Sequence, residues 1–368
     1  MQTRVLLIFS SSQLGGAERS LSRMVLTSQD QEVTYQLATL GGEGPWSDWV
    51  RSLGHNPRVY GESPGFLRML WRLWRDVNHR STDLVYVCGA RASLLFRLLL
   101  IFKPNIRLLH GVRWNPDSDS RLDRFFRLME WLTHSLVDGW IVNSAIAKET
   151  LVRRCRIPSS KVHVIYNGLE SIPSGVPPLT ERPVEVLTVA NLNARKGYIE
   201  YLAVVCKVAE KMPNVRFIFV GRDDMNGALQ REVKQLHLDG IIECLGFQKD
   251  LTQFYSRARL FVLPSLWGEG CPTSILEALS YGLPVVAYKI DGIPELVTHH
   301  KNGFLASPYN SDALATYILK LLESPLLAEE MGKVGRKIVK LNFTLKMCGD
   351  LHKSAIRETF KTKTMNQC

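Results

Sequence analysis

The chain has no Cys-x-x-Cys pair, and its seven cysteines are an odd number. Neither a zinc ribbon nor a secreted disulfide framework is therefore indicated, and a reducing, intracellular setting fits that usage. No apolar run approaches the ~20 residues that a membrane span needs. The opening MQTRVLLIFSSSQ carries only a short apolar stretch, too brief for the core of a secretory leader, and the run from Leu94 to Phe102 is interrupted by Arg97. There is no short-period repeat, which sets solenoids aside. The G-x-G-x-x-G fingerprint of dinucleotide enzymes is also missing, and no acidic residue closes the second strand, so a redox site has little support.

What is present is enough apolar residue to build a core, 45% against 22% charged, over a length of 368 residues. At about 100–200 residues per domain that length suits two domains. There are 46 Lys and Arg against 35 Asp and Glu, a formal +11, and residues 51–156 alone hold 18 against 9. An acidic partner should therefore meet the first half: nucleic acid, an anionic membrane or a phosphorylated substrate. Nucleic acid fits least, because the aromatics are not interleaved with basic residues on a strand and no binding module is recognisable.

Short apolar runs alternate with helical patterns throughout. RVLLIFSS, then residues 33–40, 83–89, 106–111, 139–144 and 162–168, read as buried parallel strands. A stretch rich in Pro, Gly and Ser follows from Ser171, and reads as a linker. The alternation restarts at 185–191, 215–221, 241–246, 259–265 and 284–289. The expected organisation is an α/β chain of two Rossmann-like, doubly wound domains: 1–172, a linker at 173–183, 184–345, and a terminal helix with a loose tail over 346–368 that could cross back to the first domain. Residues 65–79 form an amphipathic helix with Phe66, Leu67, Leu70, Leu73, Trp74 and Val77 at helical spacing. Packing against the first sheet is the favoured reading. An interfacial helix, with its arginines on anionic headgroups, is the functional one.

Ligands of open α/β sheets bind beyond the carboxyl ends of the strands, so chemistry-bearing residues should follow strands. Gly15-Gly16 follows the first strand and opens a helix, either as a plain tight turn or as an approach for an anion. The densest signal is PSLWGEGCPTSILEALSYGLPVVAY, with Glu269 in a glycine-rich loop, Pro272 expected in the first helical turn, and Glu277 in the second turn. Amide groups of Gly270, Cys271, Thr273 and Ser274 would converge on an anion or on sugar hydroxyls, and the two carboxylates would accept from hydroxyls. Arg195-Lys196 is either a solvated pair or a cation pair for a departing diphosphate.

The segment SLWGEGCPTSILEALSYGLPVVAYKIDGIPELV resembles the E-x7-E region of retaining GT-B glycosyltransferases of family four. LLIFSSSQLGGAERSL, VIYNGLE, VANLNARKGYIEYL and FIFVGRDD resemble other motifs of that family. The resemblance implies the GT-B fold, two Rossmann-like domains facing a central cleft, and a nucleotide-sugar co-substrate, a UDP-sugar rather than a GDP- or ADP-sugar. No cofactor and no metal are expected. Carried over, Arg195 and Lys196 would bind the diphosphate, Glu277 the ribose, and Glu269 with the loop amides the sugar. Gly16 would approach across the cleft, and the turn at Phe247 and Gln248 would meet the base. His110, read as ending a strand, resembles the family's histidine near the donor sugar. Asn143 and Ser144 resemble a strand-end pair and read more simply as a structural turn.

Arg113 is an acceptor-side candidate, as are Asp117 and Asp119. Those two aspartates form a D-x-D, the metal motif of the other large glycosyltransferase fold, read here as a solvated loop. The function implied is retaining transfer to a glycan or lipid-linked acceptor in cell-surface polysaccharide or lipopolysaccharide biosynthesis, in the cytoplasm or at the inner membrane face. A nucleotide-sugar epimerase, a sugar-phosphate-using synthase and an inactive GT-B-shaped binding subunit remain alternatives.

Overall fold

Runs of Val, Leu, Ile and Phe that are buried on both faces form parallel strands, and the amphipathic segments between them supply the covering helices. The computed structural model describes residues 2–27, 32–62, 65–79, 82–103, 105–117 and 120–364. They form two units, one comprising the chain up to Glu170 together with the segment from Leu345 onward, the other Ser171–Thr344.

The first unit is built on strands β1 (Thr3–Phe9), β2 (Val33–Thr39), β3 (Arg58–Val59), β4 (Leu84–Cys88), β5 (Arg107–Val112), β6 (Gly139–Val142) and β7 (Val162–Val164). All pair in parallel in the order β3-β2-β1-β4-β5-β6-β7, so the direction of winding reverses between β1 and β4. Its helices are α1 (Gly16–Thr27), α2 (Pro45–Ser52), α3 (Phe66–His79), α4 (Ala90–Leu100), α5 (Arg121–Thr133) and α6 (Ala145–Arg154). Alternation along each strand splits the core in two. Leu6, Ile8, Val85 and Val87 face α3 to α6 through Leu73, Phe96, Phe126 and Leu151. Val5, Leu7, Phe9 and Tyr86 face α1 and α2 through Leu21, Met24 and Trp46.

The second unit carries β8 (Glu185–Val189), β9 (Arg216–Val220), β10 (Ile242–Cys244), β11 (Leu260–Leu263), β12 (Val285–Tyr288) and β13 (Gly303–Ala306), parallel in the order β10-β9-β8-β11-β12-β13. Winding reverses there between β8 and β11. The helices are α7 (Tyr198–Lys211), α8 (Ala228–Gln235), α9 (Thr252–Arg257), α10 (Thr273–Ser280), α11 (Ile293–Leu296), α12 (Ser311–Glu323) and α13 (Pro325–Asn342). The segment that reads as a linker is anchored on this unit. Arg182, 5% exposed, donates to the carbonyls of Pro177, Tyr255, Ala258 and Tyr281, which satisfies the buried cation.

The last helix, α14 (Leu345–Thr364), packs through Leu345, Cys348, Ala355 and Ile356 on the α1/α2 side of the first sheet. It continues as helix through Thr364, where the sequence suggests a loose tail from residue 361. The expected apolar face of α3 also needs correcting. Leu73 and Val77 are buried, but Phe66, Leu67 and Trp74 are exposed, because the crossover from β3 to β4 presses only one narrow edge of the helix on the sheet.

His352 on α14 is fully buried and its Nδ1 donates to the Cys348 carbonyl at 2.8 Å. Its Nε2 is thereby left as an acceptor and receives an Arg113 N–H at 3.3 Å. Burial, with the Arg113 charge adding to it, pushes the His352 pKa down to about 3. The imidazole is neutral in the fold, so the stability it lends is full above the unfolded pKa and is lost as pH falls toward the folded one. Between about pH 7 and pH 5 the wild type is expected to lose roughly 2 kcal/mol more than His352→Gln, which cannot titrate. Denaturant titrations across that range measure the difference, and parallel pH profiles would refute it.

Candidate functional site

In the second unit the loops after β8 and β11 flank the point where winding reverses, the place where open α/β sheets accept ligands. Their backbones touch. Gly197 sits at φ 66°, and a Cβ there would lie 2.3 Å from the Pro264 carbonyl oxygen. Only glycine permits both that dihedral and that approach. Leu266 N–H donates to the Arg195 carbonyl at 2.9 Å, and the Arg195 guanidinium donates to the Gly268 carbonyl.

This contact brings Lys196 against Glu269. The ammonium donates to Oε1, which also accepts from Ser265 Oγ at 2.6 Å. Glu269 is only 4% exposed. Burial would raise its carboxyl, but Lys196 and Arg195 together hold it below the usual carboxylate range, so it is ionised. Burial lowers the Lys196 ammonium, and Glu269 opposes that shift without cancelling it. The Glu269 backbone is fixed as well: its N–H donates to Asp291 Oδ2 at 3.1 Å, and its carbonyl accepts from Gly292 N–H at 3.2 Å. Asp291 and Ser265 escaped the sequence reading. The only signal for either was position after a strand.

Pro272 is the N-cap of α10, not a residue of its first turn, and Thr273 and Ser274 open the helix. Gly270 and Cys271 lie in the loop before it. Glu277 falls in the second turn as expected, and its Oε2 accepts from the Tyr255 hydroxyl at 2.8 Å. Tyr255 is in turn stacked on Tyr281, with ring centroids 5.3 Å apart. Phe247 is 54% exposed just past β10, and Gln248 beside it donates to the Leu245 carbonyl.

In the first unit Gly16 is the first residue of α1, after β1, the strand where winding reverses. Arg113 follows β5 and donates to Tyr86 Oη at 2.9 Å. Its Nε and Nη1 are buried with no hydrogen-bond partner among the described residues. Glu18 lies within electrostatic reach, its carboxyl raised above the usual range by burial against the opposing pull of Arg113.

His110 requires a correction. The strand runs on to Val112, and His110 points into the α4/α5 side of the core with no exposed surface. Its Nδ1 lies 3.1 Å from Glu130 Oε1 and 3.2 Å from Arg97 Nη2. Arg97 and Glu130 form a buried ion pair, and Trp140 Nε1 donates to the same carboxylate at 2.8 Å. Burial holds His110 below its usual pKa, and its Nε2 is buried with no hydrogen-bond partner among the described residues. Arg97 likewise adds nothing to the surface charge. Ser144 is the N-cap of α6 and Asn143 donates to the Arg113 carbonyl, a structural turn. Asp117 is ion-paired with Arg154 at 2.7 Å, and Asp119 lies outside the described residues.

The sequence matches the family Glycosyl transferases group 1 over residues 175–338 and Glycosyltransferase Family 4 over residues 14–171. The chain belongs to this glycosyltransferase family, and its fold is GT-B. Among relatives, the amylovoran biosynthesis glycosyltransferase AmsK of Erwinia amylovora is 29% identical over 174 residues, 45% of this chain and 42% of that one. The chain thus matches less than half the length of AmsK. An uncharacterized glycosyltransferase of Haemophilus influenzae is 24% identical over 89% of this chain and 93% of its own. The crystal structure of Anabaena Alr3699/HepE in complex with UDP and glucose superimposes with a TM-score of 0.83 at 20% identity, covering 97% of this chain and 100% of that one.

In this glycosyltransferase the Lys196–Glu269 pair is a buried ion pair, and removing one partner strands the other charge. Lys196→Ala is expected to cost about 3 kcal/mol in stability, and Lys196→Ala/Glu269→Gln to recover most of it. Chemical denaturation measures both, and equal stability of the single variant and the wild type would count against the pair.

Proposed function

We propose that this glycosyltransferase transfers a sugar from a UDP-sugar to an anionic glycan or lipid-linked acceptor, with retention at the anomeric carbon and without a metal, in building a cell-surface polysaccharide or lipopolysaccharide. The observation that carries the reading is the buried Lys196–Glu269 pair at the β8/β11 reversal, with Arg195 beside it and Glu277 on the helix that follows. Two cations on one loop suit a diphosphate, and a fixed carboxylate suits sugar hydroxyls.

Arrival of the diphosphate gives Lys196 a second anionic partner and leaves Glu269 Oε1 free to accept from the hydroxyls of the transferred sugar, together with the Gly270–Ser274 segment. Glu277, steadied by Tyr255, takes the ribose hydroxyls, and the turn at Phe247 and Gln248 meets the base. Gly16 approaches the donor phosphate or sugar. The bond from the anomeric carbon to the diphosphate oxygen breaks, and the acceptor hydroxyl adds on the same face. Its proton passes to a phosphate oxygen of the leaving group, so no protein nucleophile is needed. Arg195 and Lys196 stabilise the charge that develops there. On the acceptor side, the unpartnered N–H groups of Arg113 suit an anionic group of the acceptor. The UDP held by Alr3699/HepE supports the choice of nucleotide.

Glu277→Ala and Arg195→Ala are each expected to lose about a hundredfold in turnover while remaining folded. Transfer of labelled sugar from a panel of UDP-sugars to membrane glycan fractions reads this, and near-wild-type turnover in either variant would refute the assignment. Donor incubated without acceptor serves as the control: alteration of the sugar there would make the protein an epimerase. Tyr255→Phe removes one hydrogen bond to Glu277 and is expected to weaken UDP binding about fivefold. Calorimetry with UDP measures it, and an unchanged affinity would show that Tyr255 does not position Glu277.

A further inference from the structure

The outer surface of the α3, α4 and α5 layer has the wrong residues for water. Helix α5 is turned inside out: its sheet-facing side buries Glu130 with Phe126, while its outward side presents Leu122, Phe125 and Trp131, with Leu122 74% exposed. Just past neighbouring α4 come Ile101 and Phe102, the latter 80% exposed, and α3 adds Leu67 at 80% and Trp71 at 56%. The three helices cover one side of the sheet. Helix α4 packs beside α5, and Lys103 at its end lies 5.0 Å from the Trp74 ring of α3. Exposed apolar side chains spread over three adjoining helices mark a surface that meets something other than water.

The charges on the same helices narrow what that is. Their acidic residues are Asp76, Asp123 and Glu130. Asp76 and Glu130 are buried and Asp123 is half-buried in the first turn of α5. The exposed charged side chains described on the three helices are all cations: Arg68, Arg75, Arg91, Arg121 and Arg124. Arg75 lies over the Trp71 ring at 4.8 Å and pairs with Asp76 at 3.6 Å, so Arg68, Arg91, Arg121 and Arg124 carry most of the outward charge. A second copy would bring these cations against their own equivalents across a two-fold axis, a repulsive arrangement. An anionic lipid surface takes both halves of the pattern, the aromatics and aliphatics at the acyl boundary and the arginines at the headgroups. No helix among the described residues is long and apolar enough to cross a membrane, so the contact is with the surface.

We propose that the outer face of α3, α4 and α5 docks this glycosyltransferase on an anionic membrane leaflet, with Phe102, Phe125 and Trp131 inserted and Arg121 and Arg124 on the headgroups. The sequence suggested such a role for α3 alone. The structure adds the other two helices, and α5 contributes the largest share. The inference is independent of the donor chemistry, and would stand with another nucleotide-sugar.

The test is flotation of the full chain with vesicles of phosphatidylcholine alone and of phosphatidylcholine mixed with phosphatidylglycerol. Binding is expected only to the mixed vesicles, weakened by salt at about 0.5 M. Phe125→Ser/Trp131→Ser should lose about thirtyfold in affinity, and Arg121→Glu/Arg124→Glu at least as much. Both double variants should keep the thermal midpoint and UDP affinity of the wild type, since the altered side chains lie on the surface. No binding to mixed vesicles at low salt, or unchanged binding in both variants, would overturn the proposal. A concentration-dependent dimer in sedimentation, lost in the variants and formed without vesicle binding, would assign the face to a second copy and overturn it equally.

Discussion

The second unit's site depends on one close contact between backbones, that of Gly197 with the Pro264 carbonyl. Parallel strands β8 and β11 are neighbours in the sheet, yet their loops would diverge into different directions without a reason to meet. A side chain at Gly197 would force them apart, and the Arg195 carbonyl could then no longer receive the Leu266 amide. Everything with chemical potential follows from that meeting. The Lys196 ammonium is delivered to Glu269, whose carboxylate is held by Ser265 and Lys196 and whose backbone is held by Asp291 and Gly292. A group held this firmly needs little reorganisation when a ligand arrives.

The molecule uses buried ion pairs twice, with different results. Arg97 and Glu130 are sealed under α4 and α5, where Trp140 and His110 complete the shell. The two charges satisfy each other there, although Arg97 Nε and His110 Nε2 are buried with no hydrogen-bond partner among the described residues. Lys196 and Glu269 sit at the carboxyl edge of a sheet, with the Lys196 side chain still 12% exposed. The same interaction placed at an edge can exchange one partner for an anion from solution. Position in the sheet decides which role each pair takes.

Much of this was legible in the amino-acid order. Parallel strands announce themselves as apolar runs, and the eight-residue spacing of Glu269 and Glu277 survives because a loop and a short helix carry it locally. The errors have a common origin in contacts between distant segments. The sequence puts His110 at a strand end, because nothing nearby reveals that Glu130, twenty residues on, lies 3.1 Å from its ring. Lys196 and Glu269 are 73 residues apart, and each alone reads as a solvated charge. Periodicity showed α3 to be amphipathic but could not say how narrow its contact with the sheet would be. For α5 the apolar stripe points outward, a case in which hydrophobicity alone selects the wrong face.

The position of α14 has a bearing on how the chain is made. Its residues complete the core on the α1/α2 side of the first sheet, yet they leave the ribosome only after the whole of Ser171–Thr344. The second unit has all its parts as soon as Thr344 emerges, while in the first Tyr86 must wait for His352 of α14 to pack against it. Synthesis therefore inverts the order of these two units: the one begun earlier is finished later. During that interval a nascent chain exposes an apolar sheet face, and the arrival of twenty residues closes it.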